Sequence, residues 1–350
     1  MKIFATPVDA NRALNPYTFL LYQHVRKLGV SVTEFSPRTP IWSLKNADIW
    51  HIHWPESEAN RPNILLAIIG SIRVLLAIVL CRLYGVKIVW TVHNIEPHEK
   101  TRKFLKGLVS RAVRHCVSAL IFLSHSSHRD SERVFGDTSK IPCRIIPHGH
   151  YRDVYPKEIN RVDARLRLGL DEQGTVMLFF GQIRPYKNVP QLIKAFARLE
   201  NDELRLVVAG STGNCTELSS LIGELSNKDR RVIFVDVFLS DEQLALWICA
   251  ADLVVLPFRD ITNSGSVFLA LSYGRRILAS NKGAMAEIQR CVGKEWMMLF
   301  DGDVNAEILR KALVEKNLAV SQSTRPDLSE FDWQKIAERT VGLYRDITRK

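Results

Sequence analysis

Cysteine is sparse in this 350-residue chain, and what there is lies scattered. Cys81, Cys116, Cys143, Cys215, Cys249 and Cys291 form no C-x-x-C pair and mostly sit in apolar runs. That excludes a zinc knuckle or a disulfide framework and leads to the expectation of a reducing cytoplasm. There is no internal repeat or low-complexity tract. The most membrane-like stretch, Ile64 to Tyr84, carries Arg73 at its middle and Arg82 near its end. A spanning helix wants about 20 apolar residues without such interruptions, so no transmembrane span is expected. The opening MKIFAT reads as a strand and lacks the pattern of a secretory signal, so export is not expected either.

Two further absences are regional. Acidic residues are missing between Glu99 and Asp130, whereas Lys100, Arg102, Lys103, Lys106, Arg111, Arg114 and Arg129 all fall there. Histidine is missing after His150, all ten lying between His24 and that position. The net charge of +11 is equally lopsided. Residues 1–155 hold 21 basic and 11 acidic side chains, or +10, and the remainder 27 and 26, or +1. Phe104, Leu105, Leu108, Val109, Ala112 and Val113 repeat at helical spacing among those cations, so a basic amphipathic helix suited to an anionic membrane surface is expected. A solvated basic face on a core helix is the plainer alternative. The cations are not interleaved with exposed aromatics and no binding motif accompanies them, so nucleic acid is not an expected partner.

What is present is alternation. Short apolar runs at Lys2–Thr6, Val30–Phe35, Ile49–Trp54, Lys87–Val92, Ala119–Leu123 and Arg144–Pro147 are separated by amphipathic segments. After a polar stretch the pattern restarts at Val176–Phe180, Arg205–Ala209, Arg231–Val235, Leu253–Leu256, Arg276–Ala279 and Trp296–Phe300. Such alternation predicts α/β architecture with two Rossmann-like units of parallel sheet, over 1–155 and 156–328, followed by a separate helix within 329–350 that crosses back to the first domain. Ligands bind beyond the carboxyl ends of parallel strands, so a cleft between the sheets is where chemistry is expected.

Histidines His51, His53, His93, His125, His148 and His150 fall on or just after predicted strands and are expected to converge there. In the second half, FFGQIRPYKNVPQLIKAF places Gly181, Arg184, Tyr186 and Lys187 between a buried strand and a helix, an arrangement suited to a diphosphate. Downstream, Asn263, Ser264, Gly265 and Ser266 open another helix, whose N–H groups can hold further phosphate oxygens. The pairs His51/His53 and His148/His150, at i and i+2 on strands, point the same way, but no third ligand completes a metal site, and no metal is expected. Asp301-Gly-Asp303 imitates a metal-binding D-x-D, with Asp303 more simply a helix N-cap.

HIHWPE (His51–Glu56), TVHNIEPHE (Thr91–Glu99), HGHYRD (His148–Asp153), GQIRPYK (Gly181–Lys187), NSGSVFLALS (Asn263–Ser272) and DLSEFDWQKI (Asp327–Ile336) together resemble the GT-B glycosyltransferases. Within them the chain is similar to the inverting β-mannosyltransferase group of xanthan-type exopolysaccharide assembly. The resemblance implies a GT-B fold, no cofactor and no required metal. It implies transfer of mannose from GDP-mannose to a polyprenyl-diphosphate-linked oligosaccharide, by a cytoplasmic enzyme held peripherally at the inner face of the plasma membrane. The chain departs from the commonest retaining GT-B family, whose paired glutamates are replaced by Thr262 and Leu269.

An inverting transfer needs a general base near the acceptor hydroxyl, with fixed cations at the leaving diphosphate. Glu99, Glu56 and His98 are open as the base, and His93 resembles the GT-B histidine facing the donor sugar. His51, His53, Trp54, His148, His150 and Tyr151 are the expected acceptor contacts. UDP-glucuronate or UDP-glucose as donor, a nucleotide-sugar epimerase, and a silent scaffold of the assembly complex stand as alternatives.

Overall fold

The computed structural model describes residues 1–12, 15–94, 102–152, 154–318 and 325–349. They form two compact units, 1–149 together with 330–350, and 150–329. The first division falls at Gly149/His150 rather than at 155, and the last helix is counted with the first unit.

In unit 1 the order is β1 (Lys2–Thr6), α1 (Tyr17–Lys27), β2 (Ser31–Glu34), β3 (Ile49–Ile52), α2 (Ile64–Tyr84), β4 (Lys87–Val92), α3 (Lys103–Cys116), β5 (Ala119–Phe122), α4 (His125–Phe135) and β6 (Cys143–Ile145). Unit 2 continues with α5 (Arg161–Leu168), β7 (Thr175–Phe180), α6 (Val189–Phe196), β8 (Leu204–Ala209), α7 (Thr216–Asn227), β9 (Val232–Val235), α8 (Asp241–Ala250), β10 (Leu253–Leu256), α9 (Gly265–Ser272), β11 (Arg276–Ser280), α10 (Met285–Val292), β12 (Met297–Phe300) and α11 (Ala306–Leu318). The last helix, α12 (Trp333–Thr348), packs on α1 in unit 1 and starts where the Asp332 carboxylate accepts the Gln334 N–H at 2.7 Å.

Each unit holds one six-stranded sheet, ordered β2-β1-β3-β4-β5-β6 and β12-β11-β10-β7-β8-β9, with every pairing parallel. The central strands are largely apolar because helices cover both sides, as in β5 and β10, whose residues are all buried; β3 is buried too but carries His51. Strand order reverses between β1 and β3 in the first sheet and between β7 and β10 in the second. Each reversal leaves a crevice at the strands' carboxyl ends, the usual place for a ligand in an open parallel sheet.

All twelve expected strands are present, most within a residue or two of their expected ends. The pair His148/His150 is the exception to the strand reading: β6 ends at Ile145, so neither histidine projects from a strand. Asp303 is not an N-cap. Its carboxylate pairs with Arg259 at 3.0 and 3.2 Å and accepts from Asn188, while Asn305 takes the Ile308 N–H that opens α11.

Helix α2 is apolar all round, and the fold divides it. Small or slim residues, Ala67, Gly70, Ser71, Val74, Ala77 and Cys81, turn inward. Leu65, Ile69, Ile72, Leu76, Val79 and Leu83 form an exposed stripe on the other side. Arg73 does not interrupt that stripe: its guanidinium turns toward the protein, donating to the Ser36 and Thr39 carbonyls with its charge over the Phe35 ring. Among the described residues α2 is the one helix long and apolar enough to cross a membrane, yet one face of it is packed on unit 1.

Candidate active site

In unit 2 the residues expected to hold a diphosphate gather at the reversal between β7 and β10. Gly181, directly after β7, has φ +99°, a left-handed conformation that glycine adopts without strain. A Cβ on Gly181 would stand 3.5 Å from Ser266 Oγ and 3.7 Å from Lys187 Nζ, so three expected residues meet at one point. Lys187 is buried, its ammonium 5.5 Å from the Phe258 ring centre and 6.0 Å from that of Phe179. Burial, reinforced by Arg184, pulls its pKa down to about 8. A buried cation beside two aromatic faces and another cation is poised for an anion.

Arg184 donates from Nη1 to the carbonyls of Ile183 and Thr212, both at 3.0 Å, which fixes its guanidinium against the loop after β8. That loop is a part of the site that sequence reasoning misses. Asp236 accepts from the Thr212 N–H and hydroxyl, each at 2.8 Å, and holds it in place. The glycines in VAGSTG, directly after a strand, are the one signal that could have found it. Ser264 is the residue before α9 and makes no side-chain cap, so the first N–H groups of α9 are not satisfied by it. Tyr186 sits in the same turn as Lys187, half-buried, with its carbonyl accepting the Arg259 N–H at 2.8 Å.

In unit 1 His51, His53, His93 and His148 converge near the reversal between β1 and β3, whereas His125 opens α4 after β5 and His150 belongs to unit 2. His51 is fully buried: Nδ1 lies 2.9 Å from Tyr22 Oη and 2.6 Å from Tyr344 Oη, and Nε2 lies 2.8 Å from Thr91 Oγ1. His53 is equally enclosed, with Nε2 2.6 Å from Tyr22 Oη and Nδ1 3.0 Å from His93 Nε2. The expectation that these two contact the acceptor is corrected, because both nitrogens of each ring are engaged inside the protein. His93 follows β4 and stacks on Trp54, centroids 4.2 Å apart, with the Tyr17 edge at 4.9 Å. Burial drives His51 down to about 3 and His148 to about 4, and holds His53 and His93 well below the usual imidazole range. All four rings are neutral at physiological pH. Tyr17, Tyr22 and Tyr344 escape sequence reasoning, since a tyrosine on an apolar helix face reads as core.

Glu56 lies in a short 3-10 turn, Pro55–Asn60, directly after Trp54. Burial pushes its carboxyl up to about 6 against the opposing pull of its own backbone N–H and the Lys106 ammonium. Gly70 of α2 lets this turn pack closely, since a Cβ there would collide with the neighbouring Glu58 carboxylate. Glu99 and His98 lie outside the described residues, as does Asp153. The HGHYRD segment is divided between the units: His148 belongs to unit 1, where its Nδ1 donates to the Gly149 carbonyl at 2.8 Å. His150 and Tyr151 belong to unit 2, where the Tyr151 N–H donates to Ser272 Oγ at 2.8 Å.

The basic helix differs from expectation. Lys106 is buried rather than facing outward, and Arg114 donates to the Phe135 carbonyl at 2.7 Å. Lys100 and the Lys103 side chain lie outside the described residues. What α3 does present is Phe104, 86% exposed, with Leu108 one turn on and Arg111 beside them. Helix α3 packs on α2, and these side chains are exposed on it.

Residues 161–291 match the family described as Glycosyl transferases group 1. Over 342 residues the chain is 29% identical to the GDP-mannose:glycolipid 4-beta-D-mannosyltransferase of Xanthomonas campestris, covering 97% of this chain and 90% of that one. It is 25% identical over 289 residues to alpha-maltose-1-phosphate synthase of Mycolicibacterium smegmatis, covering 76% and 74%. Among solved structures, sucrose-phosphate synthase from Thermosynechococcus elongatus superposes with a TM-score of 0.71 at 17% identity, over 99% of both chains. HepE of Anabaena in complex with UDP superposes at 0.64 and 16% identity, over 100% of this chain and 99% of that one.

Proposed function

We propose that this chain, a glycosyltransferase of the GT-B fold, is an inverting one. It moves mannose from GDP-mannose onto a polyprenyl-diphosphate-linked oligosaccharide in exopolysaccharide assembly. The observation that carries the reading is the similarity along 97% of the chain to a relative whose name states that donor and a glycolipid acceptor.

The work divides by chemistry. Unit 2 holds the leaving diphosphate: Lys187 and Arg184 supply fixed positive charge and the first N–H groups of α9 supply dipoles, where negative charge grows in the transition state. In unit 1, Glu56 takes the acceptor hydroxyl proton, since a carboxylate with a pKa near 6 is ionised at neutral pH and still basic enough to help. The oxygen so freed attacks the anomeric carbon from the face opposite the diphosphate, and the configuration inverts. The neutral, strongly depressed histidines are poor proton acceptors by comparison.

The acceptor's lipid fixes the enzyme's address. Leu65, Ile69, Ile72, Leu76, Val79 and Leu83 leave one side of α2 exposed and apolar, and Phe104 and Leu108 are exposed on the neighbouring α3, the kind of apolar surface that marks a membrane or protein contact. Exposed Arg82 and Arg111 sit with it. An in-plane helix with its outer face in the acyl boundary and cations at the headgroups fits these features, on the cytoplasmic leaflet.

The test is transfer itself: GDP-mannose, a polyprenyl-diphosphate-linked oligosaccharide and the purified protein should yield GDP and a glycolipid one mannose longer. Turnover of UDP-glucose or UDP-glucuronate with GDP-mannose inert would overturn the donor.

A further inference from the structure

We infer, on the reading that Lys187 and the start of α9 cradle a diphosphate, that Asp303 is a positioning residue for the donor: its carboxylate ties the turn carrying Lys187 to the loop that leads into α9. The two halves of the cradle come from different parts of unit 2. Lys187 is followed by Asn188, which stands in the left-handed region at φ +59° and opens α6. The N–H groups of α9 are reached through the loop after β10, in which Arg259 lies.

The main chains of the two segments meet once, where the Arg259 N–H donates to the Tyr186 carbonyl at 2.8 Å. Asp303 adds the side-chain link. Its Oδ1 accepts from Asn188 Nδ2 at 3.1 Å and from Arg259 Nε at 3.0 Å, and its Oδ2 accepts from Arg259 Nη2 at 3.2 Å. An ionised carboxylate only accepts, so Asn188 presents its amide N–H and Arg259 its two-pronged fork, and both directions are fixed. Asp303 is itself seated on α6, because Gln191 of that helix donates to the carbonyl of the next residue, Val304, at 3.1 Å. Asp301 accepts from Asn281 at 3.1 Å, so both carboxylates of the D-x-D imitation face protein donors. The rest of the loop before α9 is held from β11: Ser280 Oγ donates to the Phe258 carbonyl at 2.6 Å and the Ala284 N–H to the Thr262 carbonyl at 3.0 Å.

The Arg259 and Asp303 side chains are both more than half exposed, so their pairing adds little to global stability. What it fixes is spacing. Cations and dipoles aimed at growing charge lose their effect when they drift from it. GDP leaves with more negative charge on its diphosphate than GDP-mannose carries, so a loosened cradle penalises GDP more than the intact donor.

Hydrogen exchange on the full chain without nucleotide reads the tie itself. Asp303→Ala should speed exchange over residues 187–192 and 259–266 and leave the rest of unit 2 and the unfolding midpoint as in the wild type; unchanged exchange in both segments overturns the proposal. Calorimetry reads its use: Asp303→Ala should weaken GDP binding about tenfold and GDP-mannose binding less. A merely structural residue would weaken both alike, so equal losses also overturn it. With Asn188→Gly, which keeps the left-handed turn, and Arg259→Ala already in place, Asp303→Ala should cost nothing further, and an undiminished loss there would refute the coupling. Lys187→Ala separates the two claims. GDP affinity lost in Lys187→Ala but kept in Asp303→Ala removes the tie alone, whereas GDP affinity kept in Lys187→Ala removes the cradle and the role of Asp303 with it.

Discussion

Burial makes the charged form of Lys187 costly, a cost that an anionic ligand would offset. Its pKa in the folded chain, about 8, lies below the ordinary 10.5, so between those values the folded state binds fewer protons than the unfolded one. Stability from this group is therefore present above the ordinary value and lost as pH falls through about 8. On the proposed function, a bound diphosphate should restore the proton. Titration calorimetry with GDP near pH 8.5, in two buffers of different ionisation enthalpy, should show proton uptake that Lys187→Met abolishes, and equal heats in both buffers for the wild type would contradict it. Lys187→Ala and Arg184→Ala should each lower kcat on the order of 10²-fold without loss of fold. Glu56 titrates in the opposite sense: a carboxyl raised to about 6 by burial contributes stability below its ordinary 4.5 that is lost as pH rises through about 6. As the base it should give kcat/KM an acid limb with an apparent pKa near 6, and Glu56→Gln should remove both the limb and most of the rate. An acid limb that survives in Glu56→Gln would move the base elsewhere. At this scale the grouping of Gly181, Arg184 and Lys187 was legible, because they are close in sequence and stand between a strand and a helix. The buried chain of hydroxyls and imidazoles was not, since Tyr22 and Tyr344 are far apart in sequence and meet through the packing of α1 on α12.

At the scale of elements, α2 and α3 show why direction is harder to read than type. Periodicity identifies an amphipathic helix by its two faces, but α2 has apolar residues on both, so nothing in its sequence marks which side the protein takes. Its small residues decide, because Ala67, Gly70 and Ala77 let the helix pack closely. For α3 the cations suggested the outward face, yet Lys106 lies inside, where the Glu56 carboxylate balances the cost of burying a charge. Membrane attachment should accordingly be apolar first and electrostatic second. Ile69→Asp with Ile72→Asp and Phe104→Asp should abolish flotation with anionic vesicles at any ionic strength. Arg82→Glu with Arg111→Glu should weaken flotation mainly at low salt, each basic residue near an anionic leaflet contributing about 1 kcal/mol. Flotation of the aspartate triple variant at wild-type level would mean that this face does not enter the lipid.

On the scale of the whole molecule, two parallel sheets were legible because every strand is a short apolar run bounded by turns, and the excess charge was legible by simple counting. The unit boundary was less so, since HGHYRD crosses it and α12 returns to unit 1 from the far end of the chain. The overall reaction is constrained by what the donor half lacks. In the retaining family the paired carboxylates face the donor, whereas here Thr262 precedes α9 and Leu269 is buried within it, and neither bears charge. On the proposed function, Lys187, Arg184 and backbone dipoles would supply the positive charge at the diphosphate, with no divalent ion needed to neutralise the leaving group. A nucleotide donor linked α should thus give a β-linked product, with the rate unchanged by EDTA. Proton NMR of the product's anomeric signal separates the two outcomes. An α-linkage would refute inversion, and activity lost to EDTA and restored by a divalent cation would show that Lys187 and Arg184 do not carry the leaving-group charge by themselves.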